Sequence, residues 1–461
     1  MDKPVLRLGR VLFLALGLGL LPGAGSASEF TLGGFVRLDT FWDSTQVNNN
    51  LTQFINRDND PNFQHGRVKF SPQVSRMWFL IKGPKIWGAE TSGYIEWDYD
   101  DVGNVNLASG GLPFSVHKSR LALRHAFFRL NWPETELFMG QYFGLLTEEF
   151  PEVANAGAQS TGGNIYFREP QIRLTQKFLE AWTASVSISE PMNGATGTAL
   201  VPDQFTPGSS TAGVANPYTG ESSETPRVTA RLKYERDLWG KGPYWGAPRG
   251  FAARLAGSFQ RSRFRAFTGA GRIFGEANYT GVNVTQRDQQ YLNQWVAQGS
   301  LFVPLIPTYT KDLSRTMALL TQWYVGAGMD FTAEDVPANA SYLSLIDGTL
   351  IGDRQLLKRY GGFVELQYYF TNEWYINADW GINRAFGLNR GNWAGTSTSA
   401  DPVQTNQHYY LTLYYRPIQA LKFGLEYVYV RSGYFQNVQQ GSQTSSVGED
   451  HRLVFTAFFF F

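Results

Sequence analysis

The amino-acid sequence predicts an all-β fold, a transmembrane antiparallel β-barrel of about 16 strands with short periplasmic turns and long extracellular loops. Three observations lead to this prediction. Segments of about ten residues alternate apolar and polar side chains, as strands with two different faces do. These segments are separated alternately by short turns and by long polar loops, and the chain ends in an apolar run. A strand of such a barrel needs only one apolar face to span the membrane, because the barrel contacts lipid only on its outside.

The closing segment, His451–Phe461, is the most informative stretch of the chain. Alternate positions place only apolar side chains on one face, namely Leu453, Phe455, Ala457, Phe459 and Phe461. The other face carries Arg452 and Thr456. Chain ends of soluble domains usually fray into water, whereas a terminal strand that ends on Phe is typical of bacterial outer-membrane barrels. The alternative is a buried terminal strand of a soluble sheet.

The same two-faced pattern recurs throughout the chain. It predicts strands near residues 30–42, 74–82, 92–101, 120–130, 137–147, 168–178, 182–189, 227–233, 251–261, 292–303, 317–330, 358–370, 375–384, 407–416 and 421–431, before the closing strand. The series is even in number, as a closed bacterial barrel requires, and aromatic residues cluster near strand ends, as they do at membrane interfaces. A soluble β-sandwich or propeller is the alternative, but the sequence has no blade-sized repeat.

The N-terminus has the features of a secretory signal peptide over residues 1–27. Its three bases are Lys3, Arg7 and Arg10. The run Val11–Leu21 contains only apolar residues and Gly, and it is shorter than a transmembrane helix requires. Small residues precede the predicted cleavage site after Ala27. Cleavage would leave a nearly neutral mature chain, 28–461, that forms the barrel and begins its first strand almost at once.

Composition and motifs exclude several classes of protein. The chain has no Cys and a formal net charge of +1, which indicates neither a disulfide framework nor a nucleic-acid partner. It has 5 His and no zinc-protease, hydrolase or phosphate-loop motif. We therefore expect no enzyme activity, cofactor or metal, and Asp58–Asp60 is only a weak cation candidate. His125 falls on the apolar face in this register, which indicates an interface position or a shifted register.

One arc of the predicted barrel carries an excess of bases on its lumen side. The lumen-facing bases of the first half are Arg37, Arg76, Lys82, Arg120, Arg124, Arg173, Lys177, Arg227, Arg231, Lys233 and Arg254. The lumen-facing acids there are Asp39, Glu96, Asp98 and Asp100. Arg side chains in a narrow pore lower the barrier to anions and match carboxylate and phosphate geometry. The alternative is that these bases pair with acids of the loops and stiffen the wall.

The third long loop, predicted over residues 148–167, is the candidate for the pore constriction. In general porins, which the chain resembles in strand order and loop position, the third extracellular loop folds inward. This resemblance implies that Glu148, Glu149 and Glu152 lie near the narrowest part of the pore. The alternative is an ordinary surface loop.

The chain most specifically resembles the DcaP-like trimeric outer-membrane porins. The stretches that carry the resemblance are Gly33–Asp39, Arg124–Phe127, Met139–Gln141 and Phe167–Gln176. The family implies a 16-stranded trimer that passes small anionic solutes such as dicarboxylates, with Arg37, Arg124, Arg168 and Arg173 lining the pore. Some relatives begin with a helical coiled-coil segment, which is not expected here. The phosphate-selective porins are the next nearest family, because of Gly140–Phe143 and the Arg excess.

These observations predict a passive diffusion channel of the bacterial outer membrane for small hydrophilic, anionic solutes. Its expected partners are those solutes, outer-membrane lipid and lipopolysaccharide, and two further copies of the chain in a homotrimer. One alternative is a substrate-specific channel, for a dicarboxylate or phosphate, with a binding site in the lumen. Another is a structural or adhesion barrel that does not conduct.

Overall fold

The computed structural model describes residues 29–47, 55–61, 64–101, 120–155, 162–191, 225–268, 285–328, 341–346, 349–356, 358–386, 403–440 and 442–461. The predicted signal peptide lies outside these ranges, and so do residues 156–161 of the third long loop. No helix in this part of the chain is long and apolar enough to cross a membrane.

The alternating segments form strands close to their predicted positions. In chain order they are β1 (Glu29–Asp43), β2 (Arg67–Ser71), β3 (Arg76–Lys82), β4 (Glu90–Asp101), β5 (Arg120–Asn131), β6 (Thr135–Phe143), β7 (Arg168–Phe178), β8 (Trp182–Ser189), β9 (Arg227–Arg236), β10 (Gly242–Tyr244), β11 (Ala247–Arg249), β12 (Phe251–Thr268), β13 (Thr285–Ile306), β14 (Met317–Ala327), β15 (Ser341–Ile346), β16 (Thr349–Leu356), β17 (Lys358–Tyr369), β18 (Trp374–Phe386), β19 (Val403–Ile418), β20 (Leu421–Gln440) and β21 (Gln443–Phe460).

Successive strands pair antiparallel and close into a barrel of 16 strands, which confirms the predicted fold class. β2 and β3 count as one barrel strand, because both pair with β1. β10 with β11, and β15 with β16, form two separate two-stranded ribbons that are not strands of the barrel wall. Closure removes the unpaired edges that an open sheet would expose to lipid.

The barrel closes between the first and last strands, as the C-terminal pattern predicts. β1 pairs with β21 from Phe35 opposite Phe460 to Asp43 opposite Arg452. Phe461 continues this ladder through two backbone hydrogen bonds with Gly34, each 3.1 Å long. The odd-numbered apolar residues of β21 face outward, whereas Arg452 and Thr456 are buried inside. The alternation in the sequence therefore arises because successive residues face lipid and lumen in turn.

The interruption between β2 and β3 has a local repair. The segment Pro72–Ser75 leaves Arg37 of β1 without a ladder partner on the side of β2 and β3, since Pro has no N–H and the chain bends there. The Ser75 hydroxyl accepts a hydrogen bond from the Arg37 N–H (3.0 Å) and donates one to the Arg37 carbonyl (3.2 Å). A side chain thus replaces the missing backbone partner in the wall.

A β-bulge in β5 changes which residues face the lumen. Glu96 of β4 lies opposite His125, but Trp97 lies opposite Leu123, so Arg124 is an extra residue in the ladder. Arg124 and His125 are consequently both buried inside the barrel. Of the two interpretations of His125, the interface position is wrong and the shifted register is confirmed, because the bulge reverses the alternation from that point onward.

Candidate functional site in the barrel lumen

The third long loop, which joins β6 to β7, crosses the inside of the barrel. Its described residues are almost entirely buried. The Glu152 carboxylate accepts a hydrogen bond from the Tyr375 hydroxyl (2.8 Å) and forms an ion pair with Lys422. Tyr375 and Lys422 belong to β18 and β20, many strands away from β6 and β7. Glu152 can reach both only through the lumen, so the loop spans the interior.

Two buried acids of the second half hold the backbone of this loop. Glu426 of β20 accepts hydrogen bonds from the N–H groups of Ala154 (2.7 Å) and Asn155 (2.8 Å). Glu365 of β17 accepts one from the N–H group of Glu152. Hydrogen bonds from backbone N–H groups to carboxylates are stronger than neutral ones. These two acids therefore fix the described tip of the loop, Glu152–Asn155, against the far wall.

The carbonyl groups of the same tip also have partners on the wall. The Asn377 amide (2.9 Å) and the Tyr414 hydroxyl (3.3 Å) donate to the Glu152 carbonyl. The Arg37 guanidinium donates to the Ala154 carbonyl. Donors and acceptors from β1, β17, β18, β19 and β20 thus converge on a few loop residues, which leaves the tip little freedom to move.

Glu148, at the start of the loop, sits among three bases of the first half. Its carboxylate contacts Arg231, lies 3.0 Å from the Lys233 amino group, and lies 3.5 Å from the Arg254 guanidinium. Burial alone would raise the pKa of Glu148, but these three cations hold it well below its usual value. Glu148 is therefore a fixed negative charge that neutralises part of the basic wall.

Glu149 points in a different direction from its neighbour. Both carboxylate oxygens accept hydrogen bonds from Arg249 of β11, at 2.8 and 3.0 Å. Burial would lower the pKa of Arg249, but the charge of Glu149 raises it above its usual value. The three predicted loop acids therefore bind three different parts of the barrel rather than forming one acidic cluster.

Three of the predicted pore-lining bases come together on one side of the loop. Arg124 forms ion pairs with Glu96 and Asp98 and donates a hydrogen bond to the Tyr166 hydroxyl (3.1 Å). Arg76 lies 3.4 Å from the Glu96 carboxylate. Arg37 pairs with the carboxylate of Asp39, two residues along β1, at 2.7 Å.

Three other predicted bases lie apart from this group and have their own partners. Arg173 is 3.4 Å from Glu136 and stacks over Phe138, 4.4 Å from the ring centre. Arg227 forms a buried ion pair with Glu169. Arg231 contacts Glu148, as described above. The predicted Arg arc is thus two groups of residues with separate surroundings.

Two further predicted bases, Arg168 and Arg120, differ again. The guanidinium of Arg168, at the start of β7, lies 5.7 Å from the centre of the Tyr166 ring. Within the described ranges no carboxylate forms an ion pair with it. The backbone of Arg120 begins β5, but its side chain lies outside the described residues.

A chamber of about 530 Å³ remains open beside the loop. Five bases line it: Arg37, Arg76, Arg124, Arg416 and Lys422. Glu152 is the one carboxylate among its described lining residues. The remaining lining is mostly aromatic and includes Phe35, Phe143, Phe150, Tyr166, Tyr244, Trp245, Tyr414, Phe458 and Phe460. The arrangement can hold a small anion by charge while aromatic faces contact its body.

Sequence analysis missed several residues of this region. Arg416 and Lys422 lie near a short periplasmic turn, where bases are common, so the sequence offers no distinguishing signal. Glu365 and Glu426 carry a usable signal, because each lies on the polar face of a strand that has few bases to balance it. The weak cation candidate has a structural contact instead: Asp58 accepts a hydrogen bond from the Glu449 N–H (3.0 Å).

No protein-family model matches this chain, and no curated protein matches it in sequence. Among solved structures, the outer membrane channel DcaP of Acinetobacter baumannii has a TM-score of 0.62 at 15% identity, over 96% of this chain and all of that one. An anion-selective porin from Comamonas acidovorans has a TM-score of 0.47 at 10% identity, over 94% of this chain and 100% of that one. OprB of Pseudomonas putida has a TM-score of 0.48 at 11% identity, over 94% of each chain.

The likeness to DcaP covers both chains almost completely and shows that they share one fold. The fold implied by the sequence resemblance is therefore confirmed. Closed antiparallel barrels with an apolar outer face are proteins of outer membranes, since all their backbone hydrogen bonds are satisfied within the wall. The predicted outer-membrane location is confirmed by this architecture.

Proposed function

We propose that the protein is a porin, a passive diffusion channel of the outer membrane that favours small anionic solutes. The observation that carries this proposal is the chamber beside the third loop, where five bases and one carboxylate face the open space. A single-sign charge in a narrow space with apolar walls raises the local concentration of the opposite ion. Residues 1–27 would be the signal peptide that directs export.

The positions of the neighbouring acids support the preference for anions. Asp39, Glu96 and Asp98 pair with Arg37 and Arg124, yet none of these acids is among the lining residues of the chamber. The guanidinium groups therefore stand between these carboxylates and the passing solute. Ion pairing reduces the electric field of Arg37 and Arg124, but both residues still line the chamber.

The inward loop supports a narrow pore rather than a wide one. Its tip is held by strands from several parts of the wall, which supports a fixed constriction. The bases Arg173, Arg227 and Arg231 are not among the lining residues of the chamber and have partners of their own. We propose that these three bases attract anions that enter the pore and stiffen the barrel wall. We propose that Glu148, Glu149 and Glu152 position the constriction.

Planar bilayer recordings of the purified protein test this proposal. Under a salt gradient we expect a reversal potential of the sign that marks anion preference. Arg124→Glu should move this potential toward cation preference, whereas Arg315→Glu, in a periplasmic turn, should leave it unchanged. Clear cation preference of the unaltered protein would remove the anion claim, and a protein that never conducts would favour the adhesion or structural alternative.

A second candidate is a substrate-specific channel, and the aromatic lining of the chamber favours it. Aromatic faces next to bases suit a solute that has both a flat body and a negative charge. A binding site would give saturable block of the current by a solute below millimolar concentration, which simple diffusion would not. The homotrimer implied by the sequence resemblance is proposed with either function, and chemical cross-linking in detergent tests it.

A further inference from the structure

Two periplasmic turns of the barrel share the sequence Trp-Gly-Ala but occupy different environments. Trp87 and Gly88 have φ values of 52° and 78°, and Trp245 and Gly246 have 53° and 79°. Positive φ at both central residues is the geometry of a tight hairpin turn. Trp87 is 83% exposed, whereas Trp245 is 39% exposed. The local backbone is the same, so the difference lies in where the hairpin is placed.

The second hairpin, β10 with β11, folds back into the lumen from the periplasmic end. Tyr244 packs against Phe302, with ring centres 5.7 Å apart, beside an apolar cluster on the inner face of β12, β13, β14 and β17. Gly242 lies so near the wall that a Cβ there would come within 2.9 Å of the Ala318 side chain. Burial, and then the charge of Glu149, raises the pKa of Tyr244. The hairpin is therefore packed into the barrel rather than lying at its rim.

The hairpin also contacts the third loop directly. The Trp245 indole N–H donates a hydrogen bond to the Phe150 carbonyl (2.8 Å). Arg249 makes the two hydrogen bonds to Glu149 described above, and its guanidinium lies 4.6 Å from the centre of the Tyr244 ring. The two elements therefore support each other from opposite ends of the pore.

Trp245 is placed where it can limit passage. It lines the chamber, and its ring lies 5.6 Å from the Lys422 amino group. The chamber extends from this ring to the bases of β1, β3 and β5 on the other side. A solute that crosses the chamber toward the periplasm therefore moves past the indole.

We propose that the hairpin Gly242–Arg249 is a second inward-folded element of the pore, with Trp245 as the residue that sets its width on the periplasmic side. This inference rests on the proposed channel function. The indole narrows the path and offers an aromatic face next to the bases, while Arg249 and the indole N–H hold the third loop in position.

Single-channel conductance separates this role from an ordinary turn. Trp245→Ala should raise conductance by roughly a factor of two, because conductance follows the cross-section at the narrowest point. Trp87→Ala is the matched control, with the same residue and the same turn, and should leave conductance unchanged. Trp245→Phe should give a smaller increase, because most of the ring remains. An unchanged conductance in Trp245→Ala would overturn the inference.

A second measurement covers the case in which Trp245→Ala does not fold. The chain has no Cys, so a single introduced thiol can be labelled without background. A bulky thiol reagent should reduce the current of Trp245→Cys and leave that of Trp87→Cys unaffected. Equal responses of the two variants would contradict the inference, whereas absence of current in the unaltered protein would instead refute the proposed channel.

Discussion

The two walls of the lumen use charge in opposite ways. The first-half wall presents bases, such as Arg231 and Arg254, that pair with the Glu148 side chain of the third loop. The second-half wall presents the acids Glu365 and Glu426, which bind backbone N–H groups of the same loop. The bases Arg231 and Arg254 thus bind a loop side chain, whereas the acids Glu365 and Glu426 bind the loop backbone. Lys422, which pairs with the Glu152 side chain, and Arg37, which donates to the Ala154 carbonyl, are exceptions to this division. Glu365 and Glu426 position the constriction, whereas the bases that can influence a solute line the chamber from both halves of the barrel.

This difference follows from hydrogen-bonding chemistry. A carboxylate accepts several hydrogen bonds, so it suits a loop whose N–H groups lack partners in a ladder. A guanidinium only donates, so it suits carboxylates, carbonyl groups and anions. The basic wall consequently keeps some capacity for a passing anion, as Arg168 illustrates, whereas the acidic wall is occupied by the chain itself.

The largest effect is expected on the acidic wall. Glu426→Ala removes the acceptor of two loop N–H groups, and hydrogen bonds to a charged group contribute about 1.5–3 kcal/mol each. The tip of the loop should lose its fixed position, and single-channel recordings should show frequent current steps. Glu373→Ala, an exposed acid in a periplasmic turn, is the matched control. Quiet recordings from a folded Glu426→Ala barrel would show that the loop does not depend on this acid.

A smaller effect is expected on the basic wall. Glu148→Gln leaves Arg231, Lys233 and Arg254 without their shared counter-charge, so more positive charge faces the lumen. The anion-to-cation permeability ratio should increase by roughly a factor of two, as expected when one fixed charge is removed near a narrow pore. Reversal potentials in a salt gradient measure this ratio, with Glu373→Gln as the control. An unchanged ratio would place Glu148 outside the path of the ions.

The smallest effect is the pH dependence of the reversal potential that Glu148 influences. The pKa of Glu148 is lowered in the folded protein, so its carboxylate stays charged and its ion pairs contribute their full stability above the unfolded pKa of about 4.3. That stability is lost only when the pH falls through the lower folded value. The difference in reversal potential between Glu148→Gln and the unaltered protein should therefore be the same at pH 7 and pH 5. A difference that disappears by pH 5 would mean that Glu148 is not held by its three bases.

Most of the wall could be predicted from sequence because lipid and lumen impose opposite requirements on neighbouring residues. The ends of β7 and β8 agree with the prediction, since strong alternation is bounded there by clear turns. The short strand β2 was not predicted, because its five residues lie between a long polar stretch and the predicted strand at 74–82. The bulge at Arg124 was not located, although the polar His125 on a predicted apolar face indicated a shifted register as one alternative.

By itself, the sequence determined the barrel fold, the even number of its strands, its closing strand and the face on which each regular strand carries its charges. These features depend on alternation with a period of two, which is a local property of the chain. The tertiary structure alone decided how the charges are grouped. Arg124 and Arg173 look alike in sequence, yet one lines the chamber and the other pairs with Glu136.

The two Trp-Gly turns show most clearly that local sequence does not determine which distant residues a segment contacts. Local conformational preferences give Trp87 and Trp245 the same backbone, but they contain no information on what lies across the barrel. Contacts with the third loop and with the inner face of four strands bring Trp245 into the pore. Such contacts join residues that are distant in the chain, so they arise only when the barrel has closed around them.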